Sequence, residues 1–288
     1  MAVSGLLLLD KDEGWTSQDA VSKLRGILRE KRIGHAGTLD PLATGLLVIL
    51  VGRATRAASY AEAEEKEYIA AMRPGIVTDT QDITGNVLET SDMRVTADDL
   101  VNIIPPFLGE QSQLPPMYSA IKVKGQKLYD IARRGGTVER TPRQITIHEL
   151  EYLGCENGDH LLRVRCSKGT YIRTLCHDIG AALGCGACMA SLRRTRIGDF
   201  TIDNARRIAD ITYEDRDKLL PVDTLFQSAA PLRLTEAEER RCRCGNTFPT
   251  GAPAGEYRFY APDGEFLAIG RVKSGMAISE KSFFEVNE

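Results

Sequence analysis

One aspartate in a glycine-rich segment is the strongest candidate for chemistry in this sequence. Asp40 lies in residues 34–45 (Gly-His-Ala-Gly-Thr-Leu-Asp-Pro-Leu-Ala-Thr-Gly). Pro41 disfavours a helical conformation at Asp40, so the carboxylate is predicted to lie on a shaped loop. The segment has neither the Gly-Lys-Ser/Thr ending of a phosphate-binding loop nor the spacing of a dinucleotide-binding turn. The residue types therefore favour carboxylate chemistry, with an aspartate that merely caps a turn as the alternative.

Regular structure is predicted on both sides of this loop. Ser17 precedes apolar residues at Val21, Leu24 and Leu28, a spacing that predicts a helix leading into the loop. Residues 46–51 are six consecutive apolar residues bounded by glycines, which predicts a strand buried on both faces. Such a strand would give the loop a rigid base.

Further elements are predicted along the rest of the chain. A helix after Thr170 should be capped by that residue and end at Gly184. Pro105 and Pro106 should end another helix at residues 97–104. Strands are predicted at residues 66–73, 86–89, 145–152 and 160–166, and a hairpin at 256–260 and 265–269.

Composition excludes several classes of protein. The 288 residues carry a net charge of −3, which argues against a histone-like nucleic-acid binder. Charge is uneven, however: residues 61–109 contain 3 Lys/Arg and 10 Asp/Glu, whereas residues 110–207 contain 16 and 10. No apolar stretch approaches the roughly 20 residues needed to span a bilayer, and no signal peptide is recognisable. The seven dispersed cysteines do not suggest a disulfide framework, so we expect a cytoplasmic location.

Residues 34–45 closely resemble the catalytic loop of the TruB-type tRNA pseudouridine synthases, in which this aspartate is the essential residue. Five other segments resemble motifs of that family, in the family's order. They are residues 5–17, residues 66–82 (which include Lys-Glu-Tyr and Thr-Asp-Thr-Gln-Asp), residues 116–120, residues 167–173 and residues 192–194. The resemblance therefore extends over most of the chain.

The resemblance implies a function and a fold. It implies isomerisation of uridine to pseudouridine at position 55 in the T arm of tRNA, with Asp40 as the catalytic residue after the base is flipped out. The reaction has no net redox change and no group donor, so no cofactor is expected. The implied fold is a mixed α/β catalytic domain around a largely antiparallel sheet. It is expected over residues 1–228, followed by a small β-rich, PUA-like RNA-binding domain at 229–288.

The resemblance also assigns roles to side chains around Asp40. Arg193 is expected to pair with the carboxylate, which keeps it ionised despite burial, whereas the neighbouring Arg194 is expected to face solvent or phosphate. Tyr68 is expected to stack on the flipped uracil and relay a proton. Weaker assignments to substrate or RNA binding fall on His35, Asp82, Lys168 and Tyr171. Whether Asp40 attacks C1′, attacks C6 or drives elimination to a glycal stays open.

A basic segment at about 121–145 is expected to clasp RNA. It contains seven Lys/Arg and only two Asp/Glu, with a short helix predicted at 127–134. The family has an RNA-binding insertion at this place, and contacts to phosphates would make binding weaken as salt rises. A solvated charged surface is the alternative. The basic residues are Lys122, Lys124, Lys127, Arg133, Arg134, Arg140 and Arg143.

The chain departs from the family at a few positions. Asp12 stands where proline is usual, Cys188 where many members have histidine, and Ser191 where some have an aromatic residue. Cys185 and Cys188, with Cys242 and Cys244, match structural zinc spacing poorly, so no metal is expected.

Two other functions stay open at this point. A guide-RNA-dependent synthase in a multi-protein particle is disfavoured by the short C-terminal part of the chain. A tRNA-binding or tRNA-folding protein without catalysis would not need a buried nucleophile. We therefore expect an enzyme that acts on tRNA as a monomer, with no obligatory protein partner and no membrane association.

Overall fold

The structure is a computed structural model that describes residues 3–119, 121–123 and 125–285. The described chain contains one large mixed sheet, a second sheet of five strands and two short hairpins. Its strands are β1 (Gly5–Lys11), β2 (Ile33–Ala36), β3 (Thr44–Val51), β4 (Lys66–Pro74), β5 (Ile76–Thr78), β6 (Val87–Thr90), β7 (Gly109–Gln113), β8 (Lys122–Val123), β9 (Gln126–Lys127), β10 (Arg143–Glu156), β11 (Asp159–Cys166), β12 (Ala187–Ile197), β13 (Phe200–Thr201), β14 (Arg206–Arg207), β15 (Ala230–Arg233), β16 (Phe248–Pro249), β17 (Gly255–Tyr260), β18 (Phe266–Lys273) and β19 (Met276–Ser282).

Six α-helices and several 3₁₀ turns accompany these strands in the described residues. The helices are α1 (Ser17–Leu28), α2 (Ala58–Ala63), α3 (Ala97–Ile103), α4 (Leu128–Arg133), α5 (Ile172–Leu183) and α6 (Glu236–Arg243). No helix among the described residues is long and apolar enough to cross a membrane.

The large sheet has the order β14-β1-β3-β12-β4-β11-β10-β7, with β2 and β13 paired to β3 and β12. Only the β1–β14 and β3–β12 pairs are parallel. The expectation of a mixed α/β fold around a largely antiparallel sheet is therefore confirmed. The parallel β3–β12 pair joins the strand after the Asp40 loop to a strand almost 150 residues later, which brings distant motifs together.

The central strands are buried because layers cover both faces of the sheet. On one face Leu47 and Ile49 of β3 pack with α1 and α5 in one apolar cluster. On the other face Leu46 and Val48 belong to a cluster that includes Phe226. The uninterrupted apolar run of β3 follows from this two-sided burial.

Helix α1 is present where the apolar spacing predicts it, but β2 separates it from the Asp40 loop, so the prediction that it leads into the loop was wrong. Thr16 is the N-cap, and its side chain and that of Asp19 form a reciprocal capping box. Helix α5 ends at Gly184 with a left-handed φ of 80°, also as predicted. Its start differs from the prediction.

Thr170 does not cap α5, so that prediction was wrong. Its hydroxyl donates instead to the Ser167 carbonyl, and Tyr171 is the N-cap without a capping side chain. The side-chain amide of Gln113 instead holds the residue before the helix: its oxygen accepts from the Tyr171 amide, and its nitrogen donates to the Tyr171 carbonyl. A buried side chain from β7 thus fixes the backbone at the start of α5.

The C-terminal part of the chain forms its own sheet, in the order β15-β17-β18-β19-β16. The predicted hairpin is present as β17 and β18. Phe266 and Phe283 from this part stack on each other and contact Phe226, so the second sheet packs against the first. A domain boundary at residue 229 stays a prediction.

Candidate active site

The Asp40 loop connects β2 to β3 and is held from several directions. Ser17, at the start of α1, donates its hydroxyl to the Leu39 carbonyl and accepts from the Leu39 amide. The Asp40 carbonyl accepts from the Ala43 amide within the loop. The Pro41 carbonyl accepts from the Gly14 amide, which ties the loop to the segment after β1. The carboxylate therefore projects from a braced turn.

Asp40 pairs with Arg173, at the start of α5. Arg173 Nε lies 3.1 Å from Asp40 Oδ2, and the arginine side chain is 6% exposed whereas the aspartate is 39% exposed. Burial raises the pKa of Asp40 above its ordinary value, and the positive charge of Arg173 opposes that shift. The Asp40 side chain is partly exposed at the cavity, but protein atoms surround the carboxyl group on its other sides. The loss of solvation therefore has the largest effect on its pKa. The site thus holds a desolvated carboxylate beside a guanidinium.

Arg173 is fixed by backbone carbonyls and by a second carboxylate. It donates to the carbonyl oxygens of Thr80 and Tyr118, and Nη1 lies 3.4 Å from Asp82 Oδ2. Asp82 is itself buried and accepts from the side chain and backbone of Thr84. Because its donors are committed, Arg173 has little freedom to leave Asp40.

The Asp40 carboxylate faces a cavity of about 570 Å³. Tyr68 of β4 is 8% exposed and also lines this cavity. Burial raises the pKa of Tyr68, while the positive charge of Arg194 acts in the lowering direction. A second cavity of about 450 Å³ shares Gln144 and Lys168 with the first, so the open space continues toward β7.

Three more of the predicted residues lie near this cavity. Lys168 and Tyr171 line it, whereas Asp82 acts behind it through Arg173. His35 is not among its lining residues. It lies on β2, its Nδ1 has no hydrogen-bond partner in the described part of the chain, and burial lowers its pKa.

Arg193 does not pair with Asp40, so that expectation was wrong. Its guanidinium forms a two-pronged pair with Asp10 and is 44% exposed. Successive side chains of a strand point to opposite faces, and on β12 it is Arg194 that points inward. Arg194 is 1% exposed, so the expectation that it faces solvent or phosphate was also wrong.

The partner of Asp40 is Arg173, the last residue of the motif at 167–173, and the sequence analysis did not assign it this role. Its position depends on where α5 packs against the loop that carries Asp82, which no local pattern specifies. The available signal was an arginine one residue into an apolar helix, where burial requires a partner.

The family departures are accommodated locally. Asp12 Oδ1 lies 3.4 Å from Arg207 Nη2 of β14, and this ion pair lies near the start of α1. Cys188 is fully buried, and its pKa is raised to about 11 by burial. Ser191 is exposed on β12. All seven cysteines are free, and no group of three or more metal-binding side chains exists among the described residues.

The basic insertion borders the cavity. The predicted short helix is present as α4, preceded by the β8–β9 hairpin. Arg143 and Gln144, where the insertion rejoins the sheet, line the cavity, and Arg133 and Arg134 are exposed. Lys124 lies outside the described residues, as do the side chains of Lys122 and Lys127.

Two family models match this chain. The TruB family pseudouridylate synthase N-terminal domain matches residues 25–172, and the tRNA pseudouridylate synthase B C-terminal domain matches residues 173–227. The first contains Asp40 and Tyr68, and the second begins at Arg173. The fold and these matches define the chain as a pseudouridine synthase, an isomerase that modifies RNA.

Proteins that are similar to this chain over nearly its whole length support the same family. A protein of Dechloromonas aromatica is 42% identical over 95% of this chain and 93% of its own length. One of Azoarcus sp. is 44% identical, with coverages of 95% and 92%. Both are named tRNA pseudouridine synthase B. The chain belongs to the TruB family of pseudouridylate synthases.

Solved structures share the fold. The chain resembles one in a Cbf5–Nop10–Gar1 complex with a TM-score of 0.74 and 27% identity, covering 97% of this chain and 85% of that one. It also resembles one in an H/ACA ribonucleoprotein bound to a substrate RNA containing 2′-deoxyuridine, with a TM-score of 0.73 and 25% identity, covering 98% and 85%.

Proposed function

We propose that this protein converts the uridine at position 55, in the T arm of tRNA, to pseudouridine, with Asp40 as the catalytic residue. The observation that carries the proposal is the pairing of Asp40 with the buried Arg173 at a cavity that Tyr68 also lines. The tRNA substrate is supported by relatives that are 42% and 44% identical and are named tRNA pseudouridine synthase B.

The reaction needs no external donor of electrons or groups. The N1–C1′ bond of the uridine breaks, the base turns, and a C5–C1′ bond forms. The proton on C5 leaves, and N1 takes up a proton, so atoms and electrons balance within the substrate and water. Carboxylates serve as nucleophiles or charge stabilisers in glycosyl chemistry, and Asp40 fills this role at C1′, at C6 or in elimination to a glycal.

Arg173 and Tyr68 support Asp40 in different ways. The guanidinium of Arg173 lowers the pKa of a carboxyl group that burial raises, so more of the carboxylate is ionised at neutral pH. Tyr68 offers its ring for stacking on the flipped uracil, worth about 1–3 kcal/mol per base. Its hydroxyl relays the proton that leaves C5.

Binding must supply the energy that extracts the base. A paired and stacked base costs a few kcal/mol to extrude. Exposed arginines of the insertion, including Arg133 and Arg134, contribute contacts to phosphates, while Lys168 and Tyr171 lie at the cavity where the flipped nucleotide enters. The C-terminal sheet supplies a further RNA contact, as a small PUA-like domain from residue 229.

We further propose that the protein acts without a guide RNA or a protein partner. The structures of highest similarity described above come from assemblies named for Cbf5 and H/ACA particles. The chain is more similar in sequence to the tRNA pseudouridine synthase B relatives, however, and nearly coextensive with them. That balance favours a stand-alone tRNA enzyme.

Incubation of the purified protein with an unmodified tRNA transcript, without guide RNA or cofactor, tests this function. Pseudouridine is mapped by carbodiimide modification and primer extension. One new stop at the T-loop uridine is expected, and a transcript with cytidine at that position should give none. Tight binding without product would instead favour a tRNA-binding or tRNA-folding protein.

A further inference from the structure

Arg194 has an unusual environment for a charged side chain. It is the largest of the fully buried side chains in the described part of the chain, at 1% exposed. Among the described residues no carboxylate forms an ion pair with it, and its side-chain hydrogen bonds go to backbone carbonyls. Burying a charge without a counter-charge is costly unless its donors are satisfied in another way. The contacts of Arg194 show what its burial achieves.

The guanidinium bridges the two ends of the Asp40 loop. Nη2 donates to the Gly37 carbonyl at 2.8 Å, and Nε donates to the Leu46 carbonyl at 2.7 Å. Gly37 lies three residues before Asp40, and Leu46 lies six residues after it. One rigid planar group therefore sets the distance between the points where the chain enters and leaves the loop.

The backbone of the same residue holds the loop exit. Arg194 pairs with Gly45 in the parallel register of β3 and β12. Gly45 has a φ of +100°, and a Cβ at that position would lie 2.3 Å from the Arg194 carbonyl oxygen. Only glycine permits this approach. Side chain and backbone of one residue thus fix the loop together.

Arg194 also reaches the second reactive group of the proposed site. In the antiparallel register of β12 and β4 it lies directly opposite Tyr68, and its positive charge opposes the rise in the Tyr68 pKa that burial causes. The other charged or titratable groups that influence Tyr68 are Cys166 and Asp40. Lys66, a further buried cation nearby, is committed to the carbonyls of residues 62 and 64.

We propose that Arg194 is a positioning residue for the reaction, which sets the Asp40 carboxylate and the Tyr68 hydroxyl in one fixed relation to the base. This rests on the proposed function, because it assumes that both groups act on uridine. Arg194 lies at the cavity wall with only 1% of its surface exposed, and it acts through the loop and through Tyr68. A displacement of about 1 Å in a reacting group can cost about 100-fold in rate.

Arg194→Lys tests the proposal. A lysine amine keeps the charge but cannot span the Gly37 and Leu46 carbonyls in fixed directions. We expect the single-turnover rate of pseudouridine formation to fall by about 10- to 100-fold, with tRNA affinity unchanged. The matched control is Arg196→Lys on the same strand, since Arg196 is half-buried and, within the described residues, its side chain donates only to the Gly198 carbonyl, at 3.5 Å. That variant should keep the parental rate.

A second variant guards against a simple folding defect. Arg194→Ala, shown to be folded by circular dichroism, is assayed with and without millimolar guanidinium ion, which matches the deleted group. Recovery of rate at constant tRNA affinity supports positioning. A parental rate in folded Arg194→Lys, or no recovery in folded Arg194→Ala, overturns the inference. If the wild-type protein itself forms no pseudouridine, it is the proposed function that fails.

Discussion

The cavity floor and the basic insertion use arginine in opposite ways. By cavity floor we mean Asp40, Tyr68, Arg173 and Arg194, which all line the cavity. Its two arginines are buried, and each donates to two backbone carbonyls of other segments. In the insertion, Arg133, Arg134 and Arg143 are exposed, and no carboxylate lies within ion-pair distance of them among the described residues.

The buried arginines therefore fix the geometry of the site, whereas the exposed arginines are available to attract RNA. A buried guanidinium whose donors are occupied cannot turn toward an RNA phosphate, but it can hold a loop in place at a resolution that catalysis requires. An exposed guanidinium keeps its donors for phosphates and adjusts to the backbone of the RNA. Variants of the floor should therefore change the rate, and variants of the insertion should change affinity and its salt dependence.

The largest effect is expected from Asp40→Asn. The amide has nearly the same shape but carries no charge and is a poor nucleophile, so the rate should fall by at least about four orders of magnitude. Release of tritium from tRNA labelled at C5 of uridine measures the rate, and a filter-binding assay should show that tRNA is still bound. Asp199→Asn, at an exposed carboxylate, is the control. Near-parental turnover by Asp40→Asn would refute the catalytic assignment.

Arg173→Met should give the next largest effect and a distinctive pH profile. The charge of Arg173 lowers the pKa of Asp40, so its removal raises that pKa further. As the pH falls, the carboxylate of the variant is then protonated sooner, so the acid limb of the pH profile should move to higher pH than in the parent. At neutral pH we expect a rate loss of about 100-fold or more.

Arg173→Lys serves as the matched variant, because it keeps the positive charge and should move the acid limb less. The thermal stability of both variants must also be measured, because breaking a buried ion pair costs about 3–5 kcal/mol of folding free energy. An acid limb that stays in place in a folded Arg173→Met would show that another group controls the pH dependence.

The double variant Arg133→Gln with Arg134→Gln probes the insertion. We expect roughly tenfold weaker tRNA binding at physiological salt, with the slope of log affinity against log salt reduced by about 2. The single-turnover rate at saturating enzyme should stay parental. Lys23→Gln with Arg56→Gln removes two exposed charges elsewhere and should leave both quantities unchanged. An unchanged salt slope in the insertion variant would mean that these arginines do not contact phosphates.

The smallest effect is expected from Arg193→Gln. The pair between Arg193 and Asp10 is partly exposed, and such pairs contribute about 0.2–1 kcal/mol. A rate within a few-fold of the parent, with an unmoved acid limb, would distinguish it clearly from Arg173→Met. An acid limb that shifts as far as in Arg173→Met would restore Arg193 as the partner of Asp40.

The sequence predicts elements well where one local pattern decides them. The apolar run of β3, the apolar face of α1 and the glycine at the end of α5 each follow from chemistry within a few residues. The motifs also pointed to the Asp40 loop and to Tyr68 as residues of the site.

Local patterns did not predict which side chains from different motifs contact each other. Arg193 and Arg194 are neighbours of the same type, and only the register of β12 against β3 and β4 decides which one is buried. The start of α5 likewise depends on Gln113, almost 60 residues earlier in the chain.

The place of β1 in the large sheet has a consequence for synthesis on the ribosome. One edge of β1 pairs with β3, which follows soon after it, whereas the other edge pairs with β14 and with the backbone of Leu220. Nearly 200 residues separate β1 from β14. At about 5–20 residues per second, translation of that part of the chain takes roughly 10–40 s. During that time a buried, leucine-rich strand has an unpaired edge, which is a template for pairing with other chains. The first strand of the protein thus depends on chain that has not yet been made.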